Sequence, residues 1–236
     1  MPKIYYVGGC VRDKILNVSP KDIDYVYVDD QVNDINESYD NMIKYLKENN
    51  YKIFLESKNC YTVRCKKDQV VDFVLARKDL EYDESSRMPK CVPATLYEDL
   101  ERRDFTINSM AEDEEGNIYD YFEGKEDIKN KVLRTPIDPY KSFSDDPLRL
   151  IRAMRFNITK DFKFSEELEI AFNDDKLWNK MKYTVSEERV REELYKCFEY
   201  DTIKTIELLK TLNQNKINIL FGDKLWLKPT LEKKLK

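Results

Sequence analysis

The sequence contains no histidine. Imidazole is thereby excluded as general base, nucleophile or metal ligand. Any catalysis must rest on carboxylates, and any metal should be a hard cation held by oxygen. Cysteine is scarce and not paired in pattern. Cys10, Cys60, Cys65, Cys91 and Cys197 are an odd number with no C-x-x-C among them, which argues against a disulfide framework and against a zinc site. No apolar run reaches the ~20 residues of a membrane-spanning helix. The start, MPKIYYVGGC, lacks the basic-then-apolar layout of a secretion signal. The expectation is a cytoplasmic protein with no membrane partner.

What is present is charge. Charged residues make up 37% and hydrophobic residues 41% of the 236-residue chain, the mix of a globular protein with a heavily charged surface. The length suits one large domain or two small ones. A net charge of −5 speaks against a uniformly nucleic-acid-binding surface, since phosphate contacts need Lys and Arg. Basic residues are nevertheless concentrated at 224–236, 102–103 and 149–155.

Periodicity predicts strands at 4–7, 24–28, 52–55, 61–65 and 70–75, with helices at 11–16 and 38–49 between them. Residues 79–101 are polar, carry Pro89 and Pro93, and predict a loop of some mobility followed by a helix start. Beyond residue 104 the pattern is mainly helical, with expected helices at 105–111, 147–156, 166–172, 187–200 and 203–212. The fold class expected is α+β: a head with a small mixed sheet of four to five strands and helices on one side, then an all-helical second part. The division expected is a head of residues 1–112, a neck of 113–200 and a short body of 201–236.

Four constellations carry chemistry. Gly8-Gly9-Cys10-Val11-Arg12-Asp13 places two glycines between a strand and a helix, where backbone approaches a phosphate closely and Arg12 adds positive charge. Alone, such a pair is more often only a tight turn. Asp22-Ile23-Asp24 opens a strand, so both carboxylates point to one face. A bound Mg²⁺ would relieve their repulsion, and Asp72, on a later strand, could supply a third carboxylate. Arg103, Asp104 and Asn108 group at the start of an expected helix and suit a triphosphate and its ribose; the bland alternative is a capped, charged helix start. Finally, Asp146 is a candidate N-cap with Pro147 behind it, and Arg149, Arg152 and Arg155 form a ridge without matching acids. Asp beside Arg can read a base edge; the alternative is a surface helix with an internal ion pair.

Together the segments IYYVGGCVRD, KDIDYVYV, VDFVLARKD, TLYEDLERRDFTINSMA, DYFEGKEDI, DDPLRLIRAMRF and SEERVREEL resemble class II CCA-adding enzymes and bacterial poly(A) polymerases of the polymerase-β nucleotidyltransferase superfamily. The resemblance implies that Gly8, Gly9 and Arg12 hold a triphosphate. It implies that Asp22 and Asp24 bind Mg²⁺ as catalytic residues, with Asp72 at the acidic position of the next strand. Arg103, Asp104 and Asn108 would hold phosphate and ribose. Asp146 and Arg149 would read cytosine or adenine, assisted by Arg152 and Arg155. Glu188, Arg189 and Glu193 match a helix that supports the neck. The implied function is addition of CCA to a tRNA 3′ end from CTP and ATP. Alternatives are a poly(A)-type or partial CC- or A-adding enzyme, and an RNA-binding module with a decayed site. Where the family has Glu-Asp before x-x-Arg, this chain has Asp145-Asp146. About 40 residues follow the last motif, fewer than in members of the family, which implies a reduced enzyme or a piece of a longer one.

Overall fold

A computed structural model describes residues 2–29, 31–80 and 91–222. The basic run expected at 224–236 and the middle of the expected loop, 81–90, lie outside the described residues.

The head begins with β1 (Lys3–Val7), α1 (Gly9–Ile15), β2 (Asp24–Val28) and α2 (Ile35–Glu48). It continues with β3 (Lys52–Ser57), β4 (Thr62–Lys66), β5 (Val70–Leu75), β6 (Arg77–Asp79), β7 (Cys91–Pro93) and α3 (Leu96–Glu101). Two further strands, β8 (Met110–Glu112) and β9 (Ile118–Asp120), complete it. The main sheet has seven strands in the order β3-β4-β5-β2-β1-β8-β9. It is mixed: β2 and β5 run parallel, and its other neighbours are antiparallel.

Four expectations change here. The sheet has seven strands rather than four or five, and it runs to Asp120, past the expected head boundary at 112. The helix expected over 105–111 is a short 3₁₀ turn at Thr106–Asn108 followed by β8. The reason is a partner: β1 has an open edge that β8 covers, pairing Tyr6 with Glu112 and Val7 with Ala111, and an open edge leaves backbone groups unsatisfied. Helices also pack on both faces of the sheet. In DYVYV every position after Asp24 is apolar, so neighbouring residues bury on opposite faces. Tyr27 clusters with Tyr39, Met42 and Leu46 of α2, and Val26 with Leu96 and Leu100 of α3.

The second part holds α4 (Gly124–Asn130), α5 (Pro139–Asp145), α6 (Leu148–Lys160), α7 (Glu166–Asn173), α8 (Asp175–Thr184), α9 (Glu187–Tyr200), α10 (Thr202–Thr211) and α11 (Gln214–Phe221). A two-stranded parallel pair, β10 (Val132–Leu133) and β11 (Lys163–Phe164), ties the two sides of α6 together. One apolar cluster runs from Cys10 and Val11 of α1 through Phe105 and Phe143 to Trp178, Leu194 and Leu220. The head is thus welded to the helices by buried apolar contact rather than by a free linker. Among the described residues no helix is long and apolar enough to cross a membrane.

Candidate active site

β1 ends at Val7, and Gly8 turns the chain into α1 with φ +72° and ψ −129°, a conformation that a side chain resists. A Cβ at Gly8 would lie 3.1 Å from Nη1 of Arg103, so the Arg103 guanidinium sits directly over the turn. Arg103 is aimed there by Asp99, whose Oδ2 accepts from its Nη2 at 2.8 Å. The other oxygen of Asp99 accepts from Arg102 at 2.6 Å. Burial alone would raise this carboxyl, but the two guanidinium groups outweigh it and hold it down at about 2.

Arg12, on α1, is buried. Its Nη1 donates to Asn108 Oδ1 at 2.6 Å, and its Nε and Nη2 donate to Asp13 Oδ1 at 2.9 and 2.8 Å. Asp13 also accepts from Lys160 at 3.2 Å. Asn108 Nδ2 donates to Asp104 Oδ1 at 3.0 Å, and Asp104 Oδ2 accepts from Arg152 Nε at 2.9 Å. The path Lys160–Asp13–Arg12–Asn108–Asp104–Arg152 therefore leaves α6 and returns to it two turns away. Burial would raise the Asp104 carboxyl; Arg152, Asn108 and Arg149 together hold it well below the usual carboxylate range. Four residues expected to touch a nucleotide are brought together, but each already bonds to another. Asp104 and Asn108 meet across a 3₁₀ turn, not along a helix.

The arginine ridge on α6 does have acids. Arg152 meets Asp104, and Arg155 Nε donates to Glu193 at 2.6 Å. The acids come from other elements, which spacing within one helix does not display. Arg149 donates to Ser142 Oγ at 2.7 Å and to the Arg102 carbonyl at 2.6 Å. The N-cap of α6 is Pro147 rather than the expected Asp146; Asp146 ends α5 one residue earlier and accepts from the Leu148 amide at 3.2 Å.

Asp22 and Asp24 line one cleft of about 670 Å³ together with Gly9, Arg12 and Asp13. Both face that cleft although only Asp24 belongs to β2; Asp22 lies in the bend just ahead of the strand. Asp24 and Asp72 are register partners on the parallel strands β2 and β5, so Asp72 shares Asp24's face of the sheet. Asp72 is nevertheless committed to Arg64, which forks onto it at 2.8 and 2.6 Å, and it does not line the cleft. Burial raises the Asp24 carboxyl, and Asp72 and Asp22 raise it further against the opposing pull of Arg103 and Arg64. Arg149 borders a separate groove of about 490 Å³ with Arg102, Asp145 and Lys180. The cleft of the two acids and the groove that Arg149 borders are therefore distinct hollows.

Asp22 and Asp24 fit a hard divalent cation. Both offer oxygen, both face the same cleft, and no hydrogen bond or ion pair from a described residue satisfies either carboxylate. Among the described residues no three His, Cys, Asp or Glu side chains converge closely enough to hold a metal alone, so further oxygens would come from a ligand.

Several functional-looking residues escape sequence reasoning. Asp99 had a visible signal, since it lies three and four positions before Arg102 and Arg103 on one helix. Arg64, Lys160, Lys196 and Tyr200 had none, because only the fold brings them to the acids.

Residues 4–134, more than half of the chain, match the family model of the poly A polymerase head domain. The chain belongs to this family of CCA-adding and poly(A)-polymerase nucleotidyltransferases. It is 37% identical over 174 residues to the CCA-adding enzyme of Bacillus licheniformis, covering 73% of this chain and 41% of that protein. It is 34% identical over 227 residues to the tRNA nucleotidyltransferase cca2 of Schizosaccharomyces pombe, covering 89% of this chain and 46% of that one. The chain thus spans less than half the length of these curated relatives. Among solved structures, the CCA-adding enzyme of Bacillus stearothermophilus in complex with CTP superposes with a TM-score of 0.73 at 27% identity, over 91% of this chain and 49% of that one. A tRNA nucleotidyltransferase complexed with a primer tRNA and an incoming ATP analog gives 0.71 at 27% identity, over 94% and 60%. The expected α+β class, a sheet-bearing head followed by helices, is the family's fold. Members of the family generally use a divalent metal.

Proposed function

We propose that the chain is the catalytic part of a tRNA nucleotidyltransferase that adds CCA to the tRNA 3′ end from CTP and ATP. The observation that carries this reading is the pair Asp22 and Asp24, unpartnered among the described residues, in a cleft that also holds Gly9 and Arg12. Its organisation would be a sheet-bearing head, a helical neck and a short helical body, and the tRNA substrate implies a cytoplasmic site of action.

Asp22 and Asp24 would hold Mg²⁺, which when bound supplies positive charge to the triphosphate and lowers the cost of ionising the attacking hydroxyl. The Gly8–Gly9 turn lets the triphosphate approach the backbone. Arg12 and Arg103 flank that turn and stabilise charge as it develops on the phosphate oxygens. The RNA 3′-hydroxyl attacks the α-phosphate, the new phosphodiester forms, and pyrophosphate leaves. Asp104, Asn108 and Arg152 set the position of Arg12 and α6 through their mutual bonds. Asp146 and Arg149 would read the incoming base after Arg149 exchanges its bonds to Ser142 and Arg102 for the base edge; Arg155 stiffens α6 against α9.

The test is incorporation on a tRNA lacking its CCA end, with CTP and ATP supplied separately and together. Stepwise addition of C, C and A is expected, and Asp22→Ala should abolish it. A long ladder with ATP alone on generic RNA would assign a poly(A)-type enzyme instead, and addition of only CC or only A a partial one. An Asp22→Ala rate equal to wild type, or RNA binding with no incorporation at all, would remove the transferase reading.

A further inference from the structure

The cleft of Asp22 and Asp24 has a second wall. Lys160, bonded to Asp13 at 3.2 Å, comes to it from the end of α6, and Lys196, Glu199 and Tyr200 from the last turns of α9. Lys196 and Tyr200 are four residues apart on one helix, so they share a face. Tyr200 is 63% exposed, although it sits beside a large cleft where an aromatic ring could bury. Among the described residues no other ring stacks on it, and no cation lies over it. Lys196 bonds Glu193 at 2.8 Å but leaves half of its side chain in solvent. Glu193 is also held by Arg155, so Lys196 can turn to another anion without leaving Glu193 unpaired. Lys21, on the lip beside Asp22, is exposed and lines the same cleft.

An open ring with Lys160, Lys196 and Lys21 around the same cleft, outnumbering the single acid Glu199 on the wall of α9, suits a single nucleic-acid strand. Bases stack on the ring and phosphates meet the lysines. A nucleoside triphosphate alone would not need it, because Arg12 and Arg103 already serve the Gly8–Gly9 turn. We propose that Tyr200 and Lys196 of α9, with Lys160 of α6, form the track that holds the single-stranded 3′ end of the RNA substrate. Tyr200 stacks on a base and the lysines meet its phosphates, leaving the terminal hydroxyl directed at Asp22 and Asp24. This deepens the transferase reading and rests on it.

The track is tested by titrating the protein into a short RNA whose 3′-terminal base is 2-aminopurine, whose fluorescence is quenched on stacking. Wild type should bind and quench. Tyr200→Ala should lose the quenching and bind about 10-fold more weakly, within the range found for removing one base–aromatic stack, while Tyr200→Phe keeps both. Lys196→Gln should keep the quenching but lower the slope of log affinity against log salt by about 0.7, the loss of one phosphate contact on a single strand. In the incorporation assay the Tyr200→Ala defect should appear in KM for RNA and not in KM for CTP. Because Tyr200 is exposed, an unchanged melting temperature is expected for both of its variants. Failure of wild type to bind the RNA, equal affinity and quenching in Tyr200→Ala, or a defect confined to KM for CTP would each overturn the track. Normal incorporation in Tyr200→Ala with unchanged KM for RNA sinks the track alone, whereas RNA binding without incorporation by wild type sinks the transferase reading.

Discussion

Asp24 and Asp72 are register partners on parallel strands, yet among the described residues only Asp72 has a cation bonded to it. Arg64 takes both oxygens of Asp72. Asp24 is left partly buried beside two other acids, which raises its carboxyl above the ordinary value. The asymmetry keeps one carboxylate of the pair available to a ligand.

A raised pKa has a sign for stability. The ionised form of Asp24 is penalised in the fold, so the favourable contribution is fully present below the unfolded pKa and is lost as pH rises through the folded one. Asp24→Asn should therefore melt higher than wild type at pH 7, by about 2–4 °C for each kcal/mol of relieved repulsion. The difference should vanish near pH 3. Mg²⁺ at ten times its Kd should stabilise wild type by about 1.4 kcal/mol and leave Asp24→Asn unmoved. Thermal melts with and without the ion check this; a variant that melts lower at pH 7 contradicts it.

Arg64 also pulls the Asp24 carboxyl downward from a distance. Arg64→Met should push it further up and free the charge of Asp72. The acid limb of the pH–rate profile for incorporation should then move to higher pH, with Arg64→Lys in between. An acid limb that stays in place would show that Asp24 does not govern it.

Asp99 behaves in the opposite sense. Its carboxyl, fully buried between Arg102 and Arg103, lies at about 2. A depressed pKa contributes stability that is present above the unfolded value and lost as pH falls through the folded one. A drop from about 3.9 to about 2 corresponds to about 2–3 kcal/mol. Asp99→Asn should lose at least this at pH 7, and the gap to wild type should close between pH 4 and pH 2. Urea titrations across that range measure it. KM for CTP should also rise, because Arg103 loses the oxygen that aims it over Gly8.

The motifs were legible where they are local. D-I-D at the start of β2 and the Gly-Gly turn depend on neighbours within a few residues, and Asp22, Asp24 and Gly9 line one cleft. Partners supplied by distant elements were not legible. Asp104 answers Arg152 from 48 residues away and Glu193 answers Arg155 from 38, so three arginines looked free of acids when two were paired. The same limit hid β8. Its sequence suits a helix start, and only the open edge of β1 makes it a strand.

The pair Asp104–Arg152 gives the sharpest test of that hidden wiring. Asp104 is buried, while Arg152 keeps about a third of its side chain in solvent. Replacing the acid by an amide strands a guanidinium and leaves one oxygen for the donors from Phe105, Asn108 and Arg152 that two now serve, and Asn108 in turn holds Arg12. Breaking a fully buried pair costs about 3–5 kcal/mol. Solvent around Arg152 should bring Asp104→Asn down to about 2–3 kcal/mol. Arg152→Met should cost at least as much, because it leaves the buried Asp104 carboxylate without its nearest cation. If the two residues act mainly on each other, the double variant should be less destabilised than the sum of the singles, with a coupling of about 1–2 kcal/mol. Chemical denaturation of the four proteins completes the cycle. Additive losses would mean that the Asp104–Arg152 pair is not what holds α6 to the head, and that its apolar face and the Arg149 bond to the Arg102 carbonyl do so without it.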